Sequence, residues 1–332
     1  MSQQLKVTPE QEGKRLDKFL VGNMDGLARN QAKRLIDQGK IKVNGRNAVA
    51  SHNVQEGEVV EVESLTASAS SQGEFSWEDI EVIEDNRDFL VVNKPAGLIV
   101  HTSKYIEENT LVYLLLQQYP QLKEVGEYSD RPGIVHRLDK EVSGLLVIAK
   151  HQDSFFHLKQ QFEQRKVVKR YTCLVHGTPP QENEVVDFHL KRSPKTGKMV
   201  AISKKQEAHY ENLREARTEY EVARYFKNYT LLKVDLYTGR THQIRVHLKH
   251  AGHPIFNDPE YGGDKILKGT LFSKYKQFVH NCFEVLPRQA LHAKTLGFNH
   301  PSTGKYIHFD SDTPEDMSKA IEKWKHYIAY RE

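Results

Sequence analysis

Residues 134 to 150 read Ile-Val-His-Arg-Leu-Asp-Lys-Glu-Val-Ser-Gly-Leu-Leu-Val-Ile-Ala-Lys, which sets one carboxylate, Asp139, in a basic loop immediately ahead of an apolar strand. Arg137 before it and Lys140 beside it favour the charged form of that carboxyl, because nearby positive charge stabilises the anion. A positioned carboxylate can act as a nucleophile or as a general base. Taken alone, the spacing fits a surface ion-paired turn somewhat better. The segments around it decide between these readings.

His136-Arg137-Leu138-Asp139, followed by Ser143-Gly144-Leu145-Leu146-Val147, resembles the active-site signature of the RluA-type pseudouridine synthases, which isomerise uridine in RNA. Further segments of that family's pattern follow in order. Val91-Val92-Asn93-Lys94-Pro95-Ala96-Gly97-Leu98 lies upstream; Lys169-Arg170-Tyr171-Thr172 and Thr238-Gly239-Arg240-Thr241-His242-Gln243-Ile244-Arg245-Val246-His247 lie downstream. Gly252-His253-Pro254-Ile255, Ala290-Leu291-His292-Ala293 and Phe298-Asn299-His300-Pro301 complete the set. Ordered matches over about residues 75 to 310 are far more specific than any four-residue motif.

The resemblance implies three catalytic positions. Asp139 would attack C1′ of the ribose or assist elimination to a glycal. Tyr171 would lie against the target base and take part in moving the C5 proton. Arg245 would pair with the aspartate, since a guanidinium fork can orient a carboxylate and keep it charged in a low-dielectric pocket. Arg137 is expected on the RNA backbone or the flipped nucleotide, with Lys94, Arg240 and His242 as further RNA contacts. Arg240 and His242 are read in one strand segment that runs on to Arg245 and His247. The chemistry breaks C1′–N1, turns the base and joins C1′ to C5 without redox, so no cofactor is expected. The histidines at 242, 247, 250 and 253 lack accompanying cysteines or carboxylates at ligand spacing, and no metal is expected either.

The elements that must position these groups fall into two domains. Leu16, Phe19 and Leu20 form one helical stripe, and Ala28, Ala32, Leu35 and Ile36 form a second, which Gly39 can cap. Ile41-Lys42-Val43 then enters the Asn44-Gly45 turn, and Val59 to Val62 supplies a later strand. Helix, helix and a small sheet, with Lys-Val-Asn-Gly after the second helix, resemble the alpha-L RNA-binding module first described in a small-subunit ribosomal protein. Arg29, Lys33, Arg34, Lys40 and Lys42, with Asp37 as the one acid among them, suit a phosphate backbone. The expected organisation is this module over 1–63, a flexible Ser- and Ala-rich linker over 64–76, and a catalytic domain over 77–332.

In the catalytic part, strands are expected at Phe89–Val92, Gly144–Ile148, Tyr171–Val175 and Leu231–Leu236, with helices at Thr110–Tyr119, Ser154–Gln164 and Pro314–Tyr330. Strands and helices without regular alternation argue for an α+β fold, a mixed and largely antiparallel sheet with flanking helices and a central cleft. Val142, Asn257 and His101-Thr102-Ser103 depart from the commonest family pattern. Asn257 still tolerates a left-handed backbone.

Composition narrows the setting. The 332 residues carry a net charge of only +4, so the local distribution of charge is more telling than its total. Two cysteines, a polar amino terminus and the lack of a bilayer-length apolar run suggest a cytoplasmic protein with no membrane association. Cys173 is read as a small hydrophobe in a strand. The expected substrate is structured RNA, with large-subunit ribosomal RNA ahead of transfer RNA, and the protein is expected to be a monomer. A reading of a different class is a non-catalytic RNA-binding ribosome assembly factor.

Overall fold

The structure is a computed structural model, and it describes residues 3–24, 32, 35–36, 39–62, 75–102, 109–269 and 272–329. The chain divides into two units, Met1–Gly73 and Glu74–Glu332. No helix among the described residues is long and apolar enough to cross a membrane.

The first unit contains β1 (Gln3–Lys6), α1 (Leu16–Asn23), β2 (Ile41–Val43), β3 (Arg46–Asn47) and β4 (Val59–Val62), with sheet order β1-β4-β2-β3. Leu16, Phe19 and Leu20 of α1 are buried against Ile41, Val54 and Val60, as the helical stripe requires. Asn44 at φ +50° and Gly45 at φ +76° make the tight turn between β2 and β3, whose paired left-handed conformations suit this dipeptide. Of the expected second helix, Ala32, Leu35 and Ile36 are described, and all are buried. Gly39, at φ +73°, follows them and donates to the Ile36 carbonyl. Arg29, Lys33 and Arg34 lie outside the described residues, as does nearly all of the expected linker.

The second unit begins with β5 (Glu81–Asp85), β6 (Phe89–Lys94), α2 (Leu111–Gln118), β7 (Ser143–Ala149), α3 (Gln152–Glu163) and β8 (Val168–His176). It continues through β9 (Asn183–Arg192), β10 (Met199–Ile202), β11 (Arg214–Phe226), β12 (Tyr229–Leu236), α4 (Gln243–His250), α5 (Ser273–Val285), β13 (Leu291–Asn299), β14 (Tyr306–Asp310) and α6 (Glu315–Ala329). Their sheet runs β10-β9-β11-β12-β8-β13-β7-β6-β5, with β14 on the side of β13. The β7–β13 pair is parallel and the other described pairings are antiparallel, so the α+β reading with a mixed, largely antiparallel sheet holds.

β7 is buried at every position, which is why Ser143–Ala149 reads as an uninterrupted apolar run. Its parallel contact with β13 is unusually close. A Cβ on Gly144, at φ +122°, would fall 2.3 Å from the Ala293 carbonyl oxygen, so only glycine fits there. Cys173 is fully buried in β8, and burial pushes its thiol pKa well up, so it packs as a hydrophobe.

One expected element is of another type. The segment read as a strand through Arg245 and His247 is the helix α4, preceded by a turn in which His242 adopts a left-handed backbone at φ +53°. Ile244, Val246 and Leu248 alternate like strand residues. Yet Gln243 through Leu248 are all buried and only Lys249 and His250 at the end are exposed, so little polar patterning betrays the helical period.

Candidate active site

The loop between residue 135 and β7 carries Asp139 and is pinned from both ends. His136 accepts a hydrogen bond from the Val147 amide at Nε2 (3.0 Å) and stacks on Phe162. Burial pulls its pKa down to about 3, so the ring is neutral and serves as an acceptor. At the far end, the Lys140 carbonyl accepts from the Gly97 amide (2.9 Å) and from Lys94 Nζ (3.0 Å).

Lys94 is therefore not where the sequence led us to expect it. Its side chain is fully buried, and Nζ also donates to the carbonyls of Pro95 (2.7 Å) and Leu98 (2.9 Å). With three protons shared among three carbonyls, the ammonium has none left for a phosphate. Burial draws its pKa down to about 7, against the pull of Glu141 and Asp139. A lysine between a strand and a proline reads as a solvated turn; here it ties the Gly97 turn to the Asp139 loop.

Arg288 and His292 brace the same loop from beneath. Arg288 donates to the Glu141 carbonyl (3.2 Å) and Ser143 Oγ (3.2 Å), and holds Asp316 at the start of α6 through both carboxylate oxygens (2.7 and 3.0 Å). The buried His292 bridges Ser143 Oγ (3.0 Å) and Ser311 Oγ (2.9 Å).

Across the cleft, α4 presents Arg245, a guanidinium only 5% exposed. Its Nη1 donates to Asp139 Oδ2 (3.2 Å), while Nε and Nη2 take both oxygens of Asp258 (2.7 and 2.9 Å), and Nη2 also reaches Glu260 (3.0 Å). Burial alone would lower the guanidinium pKa; the hydrogen bond and charge of Asp258, joined by Asp139 and Glu260, raise it above its ordinary value. Asp258 is itself fully buried and accepts from the amides of Glu260 (3.1 Å) and Tyr261 (3.2 Å). The turn that carries it has Asn257 at φ +56°, the left-handed backbone anticipated for that residue.

His242 stands beside the pair, with Nδ1 on Tyr261 Oη (2.9 Å) and Nε2 at 3.8 Å from Asp139 Oδ2. The preceding turn is held by Gln243, whose amide oxygen accepts from Thr238 Oγ1 (2.7 Å) and from the Arg240 backbone (3.1 Å).

Asp139, Tyr171, Arg245, Arg137, Arg240 and His242 all line one cavity of about 110 Å³. Leu138, Val142, Leu236, Ile244 and Leu291 give it an apolar wall. The Asp139 side chain is 24% exposed, so the cavity opens to solvent at the carboxylate. Tyr171 projects from β8 and is buried; burial, then the charge of Asp139, raises its phenol pKa. Lys40 and Lys42 belong to the first unit, Lys42 within β2.

Sequence reasoning missed Asp258, Glu260 and Tyr261. The signal was present in Asn257-Asp258-Pro259-Glu260-Tyr261, two acids in a turn, but without the fold nothing separates them from a solvated loop. The histidines at 242, 247, 250 and 253 do not converge. His247 is buried, His250 packs on Phe188, and His253 bonds the His176 carbonyl. Among the described residues no group of three or more His, Cys, Asp or Glu side chains could hold a metal ion.

The RNA pseudouridylate synthase family model matches residues 88–250, and the S4 domain model matches residues 14–60. An uncharacterized RNA pseudouridine synthase of Chloroflexus aurantiacus is 39% identical over 98% of this chain and 94% of its own length. The ribosomal large subunit pseudouridine synthase D of Zymomonas mobilis is 34% identical over 95% of both. In fold, the chain is similar to human RNA pseudouridylate synthase domain containing 4, at a TM-score of 0.54 with 23% identity over 74% of this chain and 93% of that one. The chain belongs to the RNA pseudouridylate synthase family, as a pseudouridine synthase with an S4 domain at its amino-terminal end.

Proposed function

We propose that this enzyme converts particular uridines of structured large-subunit ribosomal RNA to pseudouridine, with Asp139 meeting the ribose of an extruded nucleotide. The observation that carries the reading is the Arg245–Asp139 contact of 3.2 Å inside a cavity that also presents Tyr171. The names of relatives such as the large-subunit synthase of Zymomonas mobilis support the choice of RNA, as does the matched S4 domain.

The isomerisation breaks C1′–N1 and joins C1′ to C5; C5 gives up a proton and N1 gains one, so atoms and electrons balance within the nucleotide. Asp139 supplies the carboxylate at the anomeric carbon, either as nucleophile or as base for glycal formation. Arg245 is already locked by Asp258 and Glu260, so the carboxylate is oriented before substrate arrives. Leu138, Val142, Leu236, Ile244 and Leu291 reduce the chance that water captures the sugar once the base is free. A target base must leave its stack to enter. With its pKa raised, Tyr171 remains a phenol near neutral pH, suited to supporting the base as a flat ring and a hydroxyl donor.

The test is incubation with total cellular RNA from a strain lacking the enzyme, without metal or nucleotide, and mapping of pseudouridine by carbodiimide-dependent stops. New sites in large-subunit RNA that vanish with Asp139→Asn, while RNA binding persists, are expected. Sites in transfer RNA alone would refute the substrate assignment, and RNA binding without any new site would refute the catalytic one.

A further inference from the structure

A second cavity, of about 450 Å³, adjoins the first and shares Arg137, Tyr171, Leu236, Gly239 and Arg240 with it. Its wall is strongly one-sided in charge. Arg137, Arg165, Lys169 and Arg240 line it against a single carboxylate, Glu163, which lies 3.7 Å from Lys159. Arg165 reaches Glu215 at 3.4 Å, where both side chains are largely exposed, and Arg240 Nε donates to the Glu215 carbonyl (3.2 Å).

Lys169 is the telling member. It is half-buried, its ammonium lies over the Phe162 ring at 5.9 Å, and among the described residues it has no hydrogen bond or ion pair. Gly239 lies beside it, since a Cβ there would stand 3.8 Å from Lys169 Nζ, an ordinary contact distance. Burial, then the charge of Arg240, brings the lysine pKa down to about 8, and burial, then Arg214 and Arg165, lowers that of Arg240. Four cations against the Glu163 and Glu215 carboxylates leave an excess of positive charge that a bound anion would answer.

The position of the lysine says which anion. Lys169 and Tyr171 are alternate residues of β8 and face the same side, about 7 Å apart along the strand. If the ring meets the target base, the ammonium stands one sugar and phosphate away.

We propose that this cavity is a phosphate seat, in which Lys169, with Arg240 and Arg165 around it, takes the RNA backbone phosphodiester adjoining the target uridine. The proposal rests on the uridine-isomerase reading for what occupies the neighbouring cavity. It adds Lys169 and Arg165 to the RNA-contacting residues and assigns Lys169 a part in placing the substrate.

The experiment uses the full chain and protein-free large-subunit ribosomal RNA, with binding measured across a sodium chloride series and pseudouridine formation measured in parallel. Lys169→Met should weaken binding several-fold at moderate salt and reduce the slope of log K against log salt by about 0.7 to 0.9, the value of one lost phosphate contact. KM should rise by more than kcat falls. Lys169→Arg should restore the slope, and Arg165→Gln, at an exposed position that leaves the strand intact, should lower it in the same direction. Thermal melts identify a variant that fails to fold, in which case Arg165→Gln carries the test. An unchanged slope in both folded neutral variants, with wild-type enzyme still forming pseudouridine, would overturn the phosphate seat and leave the isomerase reading standing. A reduced slope with no pseudouridine from wild type would keep an RNA phosphate site and overturn the isomerase reading.

Discussion

Arg245 is fixed before any substrate arrives, because Asp258 takes it through two parallel hydrogen bonds in a buried setting and leaves one nitrogen for Asp139. A buried guanidinium is tolerable only while its charge is answered. Asp258→Ala should therefore destabilise the fold by about 3–5 kcal/mol, the usual range for breaking a buried pair, and reduce pseudouridine formation further than the lost stability explains. Urea unfolding, with activity measured well below the transition, separates the two effects; unchanged stability would contradict the clamp. Asp139, Tyr171 and Arg245 were legible at this scale because each stands in a recognisable run of residues. Asp258 and Glu260 were not, since their importance lies in facing α4 across a turn, and Lys94 misled because a lone lysine before proline does not announce its burial.

Among the elements, the parallel contact of β7 with β13 governs where the Asp139 loop enters the sheet. Ser143 and Gly144 pair with His292 and Ala293, and the Gly144 backbone lies against the Ala293 backbone without space for a methyl group. Gly144→Ala should cost about 3 kcal/mol or more, from a left-handed backbone that glycine alone adopts readily and from the clash. Thermal or urea unfolding would show it, and a variant as stable as wild type would contradict the packing described. The strands and helices flanking the motifs were legible from apolar runs such as Ser143–Ala149. The long strand β11 was less so, since its buried Ala216 and Thr218 give little hydrophobic signal between charged neighbours. The type of α4 was hidden for the opposite reason, as burial of Gln243 through Leu248 erased its period.

Over the molecule as a whole, His176, His247 and His292 are buried and neutral, each drawn from an ordinary pKa of 6.5 to about 4, chiefly by burial. The unfolded chain takes protons on these rings below pH 6.5, whereas the fold resists until about 4. Their contribution is thus complete above pH 6.5 and is lost progressively toward pH 4, at up to about 1.4 kcal/mol per pH unit for each ring. Denaturation midpoints measured from pH 7 down to pH 4 should fall across this window, and a flat profile would contradict it. The two-unit organisation was legible from composition, since a Ser- and Ala-rich stretch without core residues separates two sets of apolar stripes. The order of the large sheet was not, because its β8–β13 and β7–β13 pairings join strands more than a hundred residues apart.

The proposed chemistry turns on Asp139 acting at the sugar under the hold of Arg245. Large-subunit ribosomal RNA carrying tritium at C5 of uridine reports this directly, because joining C5 to C1′ expels the label into water. With saturating enzyme in a single turnover, wild type should release tritium, and Asp139→Asn should release none above background while still binding the RNA. Release by the folded asparagine variant at the wild-type rate would contradict a catalytic role for Asp139.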